Sequence, residues 1–198
     1  MSPRTEEQNA QIKDERREQI LKAALKVFAL RGFAATKVGD IAAEAGLSHG
    51  LVYHYFKSKE EIFFELVGLA VKTSGNALLM VDALPLPPIE KVRQTAKYIM
   101  SGIAMGQETS YFFLIVTHAA MMEESPERDR YLGGSFVSID TMIKILREGQ
   151  ELGQVREGDA AGMSVMFFSA IMGLAVYNIT MEGFKMPDAE LLVSMVSK

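Results

Sequence analysis

Between Gly46 and Glu61 the chain reads GLSHGLVYHYFKSKEE. This run holds His49 and His54, two of the three histidines, together with Tyr53, Tyr55, Lys57 and Lys59. Three chemistries use such a set: metal ligation, acid–base catalysis, and contact with phosphate. Metal ligation fits poorly. The imidazoles are not at the i, i+4 spacing that puts two ligands on one helical face, and no carboxylate lies between them. Acid–base work needs a convergent partner, and neither a Ser/His/Asp set nor a carboxylate pair stands out, so no catalytic residue is assigned. Phosphate contact accounts for the residue types. Tyrosine hydroxyls are donors on rigid arms, and Lys59 falls in the first turn of a helix, where free amides also point at anions. Small or planar residues such as Ser48, His49 and Gly50 suit the N-terminal end of a helix lying in a DNA major groove.

Such a helix must be held by its neighbours. From Asp14 to Arg31, Ile20, Leu21, Ala24, Leu25, Val27 and Phe28 make a helical stripe closed by Gly32. A short helix over roughly 37–45 follows, with Thr36 as its expected N-cap. Gly46 supplies the positive φ of a sharp turn, and Ser48 caps the next helix, His49 to about Tyr55. Ile41, Leu47 and Val52 then face the first helix, with Ala42 small at the close approach. Ser58-Lys59-Glu60-Glu61 reads as a capping box and opens a long apolar helix to about Val81. Leu84-Pro85-Leu86-Pro87-Pro88 ends it. Further helices are expected at roughly 88–105, 109–124, 127–153, 159–183 and 188–197. The class is all-α: a three-helix helix-turn-helix unit of homeodomain-like form over 1–57, and a larger α-helical unit over 58–198, about nine helices in all.

The chain has 198 residues, with 48% hydrophobic and 23% charged, enough for a packed core. It has no cysteine, which excludes disulfides and thiolate metal sites and fits a cytoplasmic location. Its polar start has no signal-peptide pattern, and no long window is apolar throughout, so no membrane partner is expected. Residues 1–65 carry ten Lys/Arg and ten Asp/Glu, whereas the rest carries eleven and fifteen. Any positive charge that meets nucleic acid must therefore be local.

The front of the chain resembles the TetR family of bacterial transcription regulators over about residues 14–65. The resemblance is carried by the Ile20–Phe28 stripe with Gly32-Phe33, then Thr36, Ile41-Ala42, Ala45-Gly46-Leu47-Ser48, Gly50, Tyr53, Tyr55-Phe56, and Lys59 with Glu60. It implies a DNA-binding role. Thr36, Lys37, Tyr53, Tyr55 and Lys59 are then phosphate contacts, and His49, Gly50 and Leu51 read base edges. His54 serves either purpose. Gly39 stands where some relatives reach into the groove, so base readout from that helix is not expected. Leu51 replaces a common hydroxyl residue and can meet a thymine methyl.

The rear is rich in methionine and aromatics. Most of these belong to an ordinary core. A sharper reading makes part of it a cavity for an apolar or aromatic small molecule, lined by Tyr98, Met105, Phe112, Val116, Met122, Phe136, Ile139 and Met142. In the resembled family such an effector moves two DNA-reading units apart. On the penultimate helix Met163, Phe167, Ala170, Leu174, Tyr177 and Met181 recur at spacings of three and four. With Phe136, Ile139, Ile143 and Leu146 they are expected to form half of a four-helix homodimer interface. His118, in an apolar run, reads as an interior histidine rather than a ligand contact. No cofactor or metal is expected. The expected function is a homodimeric repressor on a near-palindromic double-stranded operator, released by its effector. The competing readings are a TetR-like protein governed by a protein partner, and a small-molecule binder whose front helices merely pack.

Overall fold

The computed structural model describes the backbone of residues 6–133 and 135–198, with side chains for 11–133 and 137–198. Ten helices and no strand are present among the described residues. They are α1 (Glu6–Ala35), α2 (Val38–Ala45), α3 (His49–Tyr55), α4 (Lys59–Asp82), α5 (Pro88–Met105), α6 (Gln107–Ala120), α7 (Pro126–Leu132), α8 (Ser135–Glu151), α9 (Ala160–Thr180) and α10 (Ala189–Ser194). The count exceeds the expected nine because the segment 127–153 is two helices, α7 and α8. Gly133 stands at the C-terminal end of α7, and glycine is a poor helix former.

Two apolar clusters hold these helices. The first joins α1, α2, α3 and the N-terminal half of α4 to α6 and α7, around Ile20, Leu25, Phe28, Ile41, Val52, Phe56, Phe63 and Ile115. The second joins the end of α4 to α5, α8, α9 and α10, around Val92, Ile103, Met142, Leu146, Phe167 and Ile171. The helix-turn-helix therefore shares a core with α4 and α6 and is not a detached bead.

Two polar devices fix the joins. The carboxylate of Glu65 on α4 takes both terminal nitrogens of Arg17 on α1. At the far end of α4, Asp82 accepts from Lys91 of α5 at 3.3 Å and from Lys144 of α8 at 2.7 Å. Burial pushes the Asp82 carboxyl up, but the two lysines outweigh it and hold it below the usual carboxylate range.

α4 and α9 are long and apolar enough to cross a membrane by length and composition. α4 is a core helix, with Ile62, Phe63, Phe64, Leu66 and Val67 buried. α9 buries Phe167, Ile171 and Ala175 and leaves its opposite side open.

Candidate nucleic-acid interface

The turn between α2 and α3 follows from local rules. Gly46 has φ 67° and ψ 31°, left-handed values that a side chain would strain. With Leu47 N–H donating to Ala42 O at 2.9 Å, the chain reverses within three residues. Ser48 Oγ accepts from Leu51 N–H at 3.2 Å and starts α3. Val52 is fully buried and Leu47 packs against the same core, which leaves one side of α3 to solvent.

That side presents Ser48, His49, Gly50, Tyr53 and His54, all exposed, with Leu51 half-buried. The rings of His49 and Tyr53 meet edge-on with centroids 4.9 Å apart, and those of His54 and Tyr55 at 5.3 Å. Each pair fixes the other's direction without closing off its polar atoms. Tyr55 is the more buried tyrosine and packs on the first core. Nothing lies within 4 Å of a Cβ placed at Gly50, so the α3 backbone there is open to close approach. A Cβ at Gly39 would meet only His49 Cδ2, at 3.9 Å, so α2 adds no side chain of its own beside His49.

Charge around α3 is sorted by pairing. Arg31 is tied to Asp40 at 2.8 Å and Lys26 to Glu44 at 2.6 Å. Asp40 also accepts from Lys37 N–H, which with Arg31 keeps its carboxyl below the usual range. Lys37 and Lys57 are exposed, and among the described residues their ammonium groups have no ion pair. Lys37 stands at the start of α2, two residues before Gly39, whose Cβ position lies beside His49, and Lys57 follows the C-terminal end of α3. Lys57 is a cation that the sequence reading left out of the site. Its signal was an unpaired lysine directly after Phe56, where α3 has ended and α4 has not begun.

Two residues expected on phosphate are engaged inside the fold. Thr36 is 1% exposed, and its Oγ1 donates to Gly32 O at 2.7 Å. The N-cap of α2 is Lys37 rather than Thr36. Lys59 Nζ donates to Phe33 O at 3.0 Å and Thr36 O at 3.1 Å and lies over the Phe33 ring. It closes the C-terminal end of α1, where carbonyls lack helical partners. The expected capping box is also shifted. Ser58 Oγ accepts from Glu61 N–H at 3.3 Å, but the Glu61 carboxylate accepts from Lys57 N–H at 2.6 Å and not from the Ser58 amide.

The residues expected to line an effector cavity do not converge. Tyr98 and Met105 point outward from α5, 66% and 90% exposed. Met142 is fully buried in the second core, whereas Phe112, Val116 and Met122 are partly buried against the first. Ile139 is half-buried, and the Phe136 side chain lies outside the described residues. A groove of about 630 Å³ lies elsewhere, between α4, α7 and α8, bordered by Val71, Lys72, Asn76, Leu79, Arg130 and Tyr131.

On α9 the stripe is rotated from the expected one. Phe167 belongs to the protomer's own core at 1% exposure, with Met163, Ala170 and Leu174 packed beside it. Leu146 of α8 is likewise fully buried and is core. Facing outward are Val165, Met166, Met172, Val176, Tyr177 and Met181. Among the residues named beforehand, Tyr177 and Met181 thus lie on the open face.

Comparison with known proteins agrees with this geometry. The family profile "Bacterial regulatory proteins, tetR family" matches residues 20–66, from the middle of α1 into α4. The HTH-type transcriptional repressor KstR2 of Mycolicibacterium smegmatis is 29% identical over 156 residues, 79% of this chain and 73% of that protein. The chain spans half or less of the length of other curated relatives it matches. Among solved structures, the TetR family transcriptional regulator PfmR of Thermus thermophilus superposes with a TM-score of 0.70 at 26% identity, covering 88% of this chain and 93% of that one. KstR2 of Mycobacterium tuberculosis shares the fold at a TM-score of 0.77 and 21% identity, covering 92% and 95%. The helix-turn-helix, its sequence match and the whole-chain fold agree: residues 20–66 match the tetR-family DNA-binding profile, and the chain as a whole is similar in fold to a TetR family transcriptional regulator.

Proposed function

We propose that the protein is a homodimeric, DNA-binding transcriptional repressor of the cytoplasm. It reads a near-palindromic operator and is released by a small molecule with an apolar or aromatic body. Residues 1–57 read DNA, and residues 58–198 dimerise and take the effector. The observation that carries this reading is the open face of α3. Ser48, His49, Gly50, Tyr53 and His54 lie uncovered there, with two exposed lysines that have no ion pair among the described residues, Lys37 at the start of α2 and Lys57 just after α3. A short helix of this kind spans only a few base pairs, so two copies related by a two-fold axis double the site.

In this reading Lys37, Lys57 and Tyr53 hold phosphates. His49, Gly50 and Leu51 face base edges, and Ser48 and His54 lie at the rim of the contact. The uncharged outer stripe of α9 meets the same stripe of a second copy. The effector acts only through its preference for one arrangement of the two reading helices. α4 is placed to transmit that preference, since it follows α3 directly and is clamped to α1 by Glu65 and Arg17. The named relatives are transcriptional regulators, which speaks against an enzyme.

The test is selection of bound duplexes from a random-sequence pool. The expected outcome is enrichment of a two-fold symmetric motif, with half-site centres about 10 base pairs, or a multiple, apart. The double variant Lys37→Ala/Tyr53→Phe should bind every duplex more weakly while enriching the same motif, because both groups meet phosphate. A wild-type protein that enriches nothing, or a motif without symmetry, overturns the reading.

A further inference from the structure

The groove between α4, α7 and α8 has a chemistry of its own. One face of α4 forms its floor: Gly68, Lys72, Gly75, Asn76 and Leu79 recur at helical spacing, with Val71 beside them. Gly68 is required there, since a Cβ would come within 2.8 Å of the Tyr131 ring. Tyr131 stacks on Phe64 with centroids 5.5 Å apart and makes a firm aromatic wall. Arg128 anchors α7 to the end of α6 through Ala119 O and Ala120 O, so α7 is held in place on the side away from the groove.

Four charged side chains border this space: Glu61, Glu65, Lys72 and Arg130. Of the two carboxylates one is ion-paired and the other holds a backbone amide while keeping its charge. Glu61 accepts from Lys57 N–H, and Glu65 takes the Arg17 guanidinium. Among the described residues neither Lys72 nor Arg130 has an ion pair or a hydrogen bond, and Arg130 touches only the edge of the Tyr131 field, 5.9 Å from the ring centroid. Asn76 adds an amide with no partner among the described residues. An apolar, aromatic-walled groove with two uncommitted cations and one amide matches a ligand with an apolar body and an anionic head.

We infer that this groove binds an amphipathic anion, a soluble apolar carboxylate or phosphate. Its head lies on Lys72 and Arg130, and its body lies along Val71, Leu79 and Tyr131. A neutral flat compound in the interior, as the composition suggested, would leave both cations idle. The inference rests on the effector reading above only for its regulatory meaning, because binding is measured without DNA.

The probes are decanoate, decyl phosphate and 1-decanol, titrated calorimetrically below micelle formation into the full-length protein. Both anions should bind at least about tenfold more tightly than the alcohol, the scale of one charge-assisted hydrogen bond. Lys72→Met/Arg130→Met, two exposed positions whose change leaves the core intact, should erase that preference. The conservative Arg130→Lys should retain most of it. Three results overturn the inference: equal binding of decanol, absence of anion binding, or a preference that survives the double substitution. Co-sedimentation of wild-type protein with phosphatidylglycerol vesicles, in place of binding to monomeric decanoate, also overturns it, because the surface would then be lipid-facing rather than a groove for a soluble ligand. Duplex binding by the same preparations is scored separately, so failure of the DNA reading and failure of this site are distinguishable.

Discussion

Two helices of this protein leave one side uncovered, and the two sides differ in kind. α3 shows hydroxyls, imidazoles and a bare glycine backbone, with Lys57 just beyond its end and free of ion pairs among the described residues. α9 shows Val165, Met166, Met172, Val176 and Tyr177, and no charged residue occurs from Ala160 to Met181. Water solvates the first side well and the second badly. An exposed donor-rich face loses little while it waits for a partner. An exposed apolar stripe on a helix is costly unless another surface covers it. The α3 side therefore suits a hydrated anion that comes and goes, and the α9 side suits an apolar partner, which in the proposed function is a second copy of this chain. The difference shows how an open helix face specifies the chemistry of what it meets.

The largest effect comes from making the two sides alike. Val176→Glu puts a carboxylate on the α9 stripe. In the separate protomer Val176 is 38% exposed, so the folded chain should tolerate the change. Across a dimer seam it would bury an unpaired charge near its own symmetry copy. The dissociation constant should rise more than about a hundredfold, some 3 kcal/mol. Light scattering coupled to size exclusion would show monomers where the parent chain is dimeric, with an unchanged melting transition for the protomer. A variant that stays dimeric would place the interface elsewhere and leave the apolar stripe unexplained.

The next effect lies between the two sides, where Asp82 joins α4 to α5 and α8. Lys91 is only 8% exposed, so Asp82→Asn leaves its ammonium in poor company. The expected loss is about 2–3 kcal/mol, below the full range for a buried pair because Asp82 retains some solvent contact. The pH dependence follows from the direction of the shift. The folded carboxyl titrates below its unfolded value of about 3.9, so its contribution is complete above that value and is lost as pH falls through the folded one. Urea unfolding between about pH 3 and pH 7 should show an acid limb in the parent that is shallower in Asp82→Asn, with no change in the protein's affinity for DNA. Equal acid limbs would mean that other carboxylates carry the dependence.

How far the sequence revealed these sides depended on the range of the rule involved. The turn at Gly46, the cap at Ser48 and the inward positions Ile41 and Val52 are settled within four or five residues, and the structure agrees with all of them. Lys59, expected on phosphate, is bonded in the structure to Phe33 O and Thr36 O, partners that lie 26 and 23 residues away and that no local pattern shows. A lysine in the first turn of a helix looks free until the preceding elements are folded back on it. Thr36 is engaged inside the fold for a related reason. α1 continues past a kink at Gly32, φ 76°, to Ala35, and the threonine hydroxyl is spent on that kink. α9 is apolar on every side, so its residues specify a strong helix without a phase. Only packing against α8 and α6 decides that Phe167 turns in and Met166 turns out. Tyr98 and Met105 show the converse: residue types that usually line cavities can lie in solvent when the neighbouring positions fill the core first.

The smallest effect separates lysines that look equivalent along the chain. Lys37, Lys57 and Lys59 cluster about α3, but their surroundings assign them opposite tasks. Counterion release makes the salt dependence of DNA binding a count of phosphate contacts. Lys37→Ala and Lys57→Ala should each weaken binding to any duplex by about 1 kcal/mol and lower the slope of log affinity against log salt by about one contact, with folding stability unaltered. Lys59→Met keeps the packing of the stem on Phe33 and removes the two bonds to the end of α1. It should cost about 1 kcal/mol of stability, the net worth of such bonds, and leave the salt slope where it was. Fluorescence anisotropy across a salt series, beside urea unfolding of the same variants, reads both quantities. If Lys59→Met also lowers the slope by one, its ammonium leaves Phe33 and Thr36 when DNA arrives. The cap of α1 would then be exchanged for a phosphate, and DNA binding would be coupled to the end of the helix that carries Arg17.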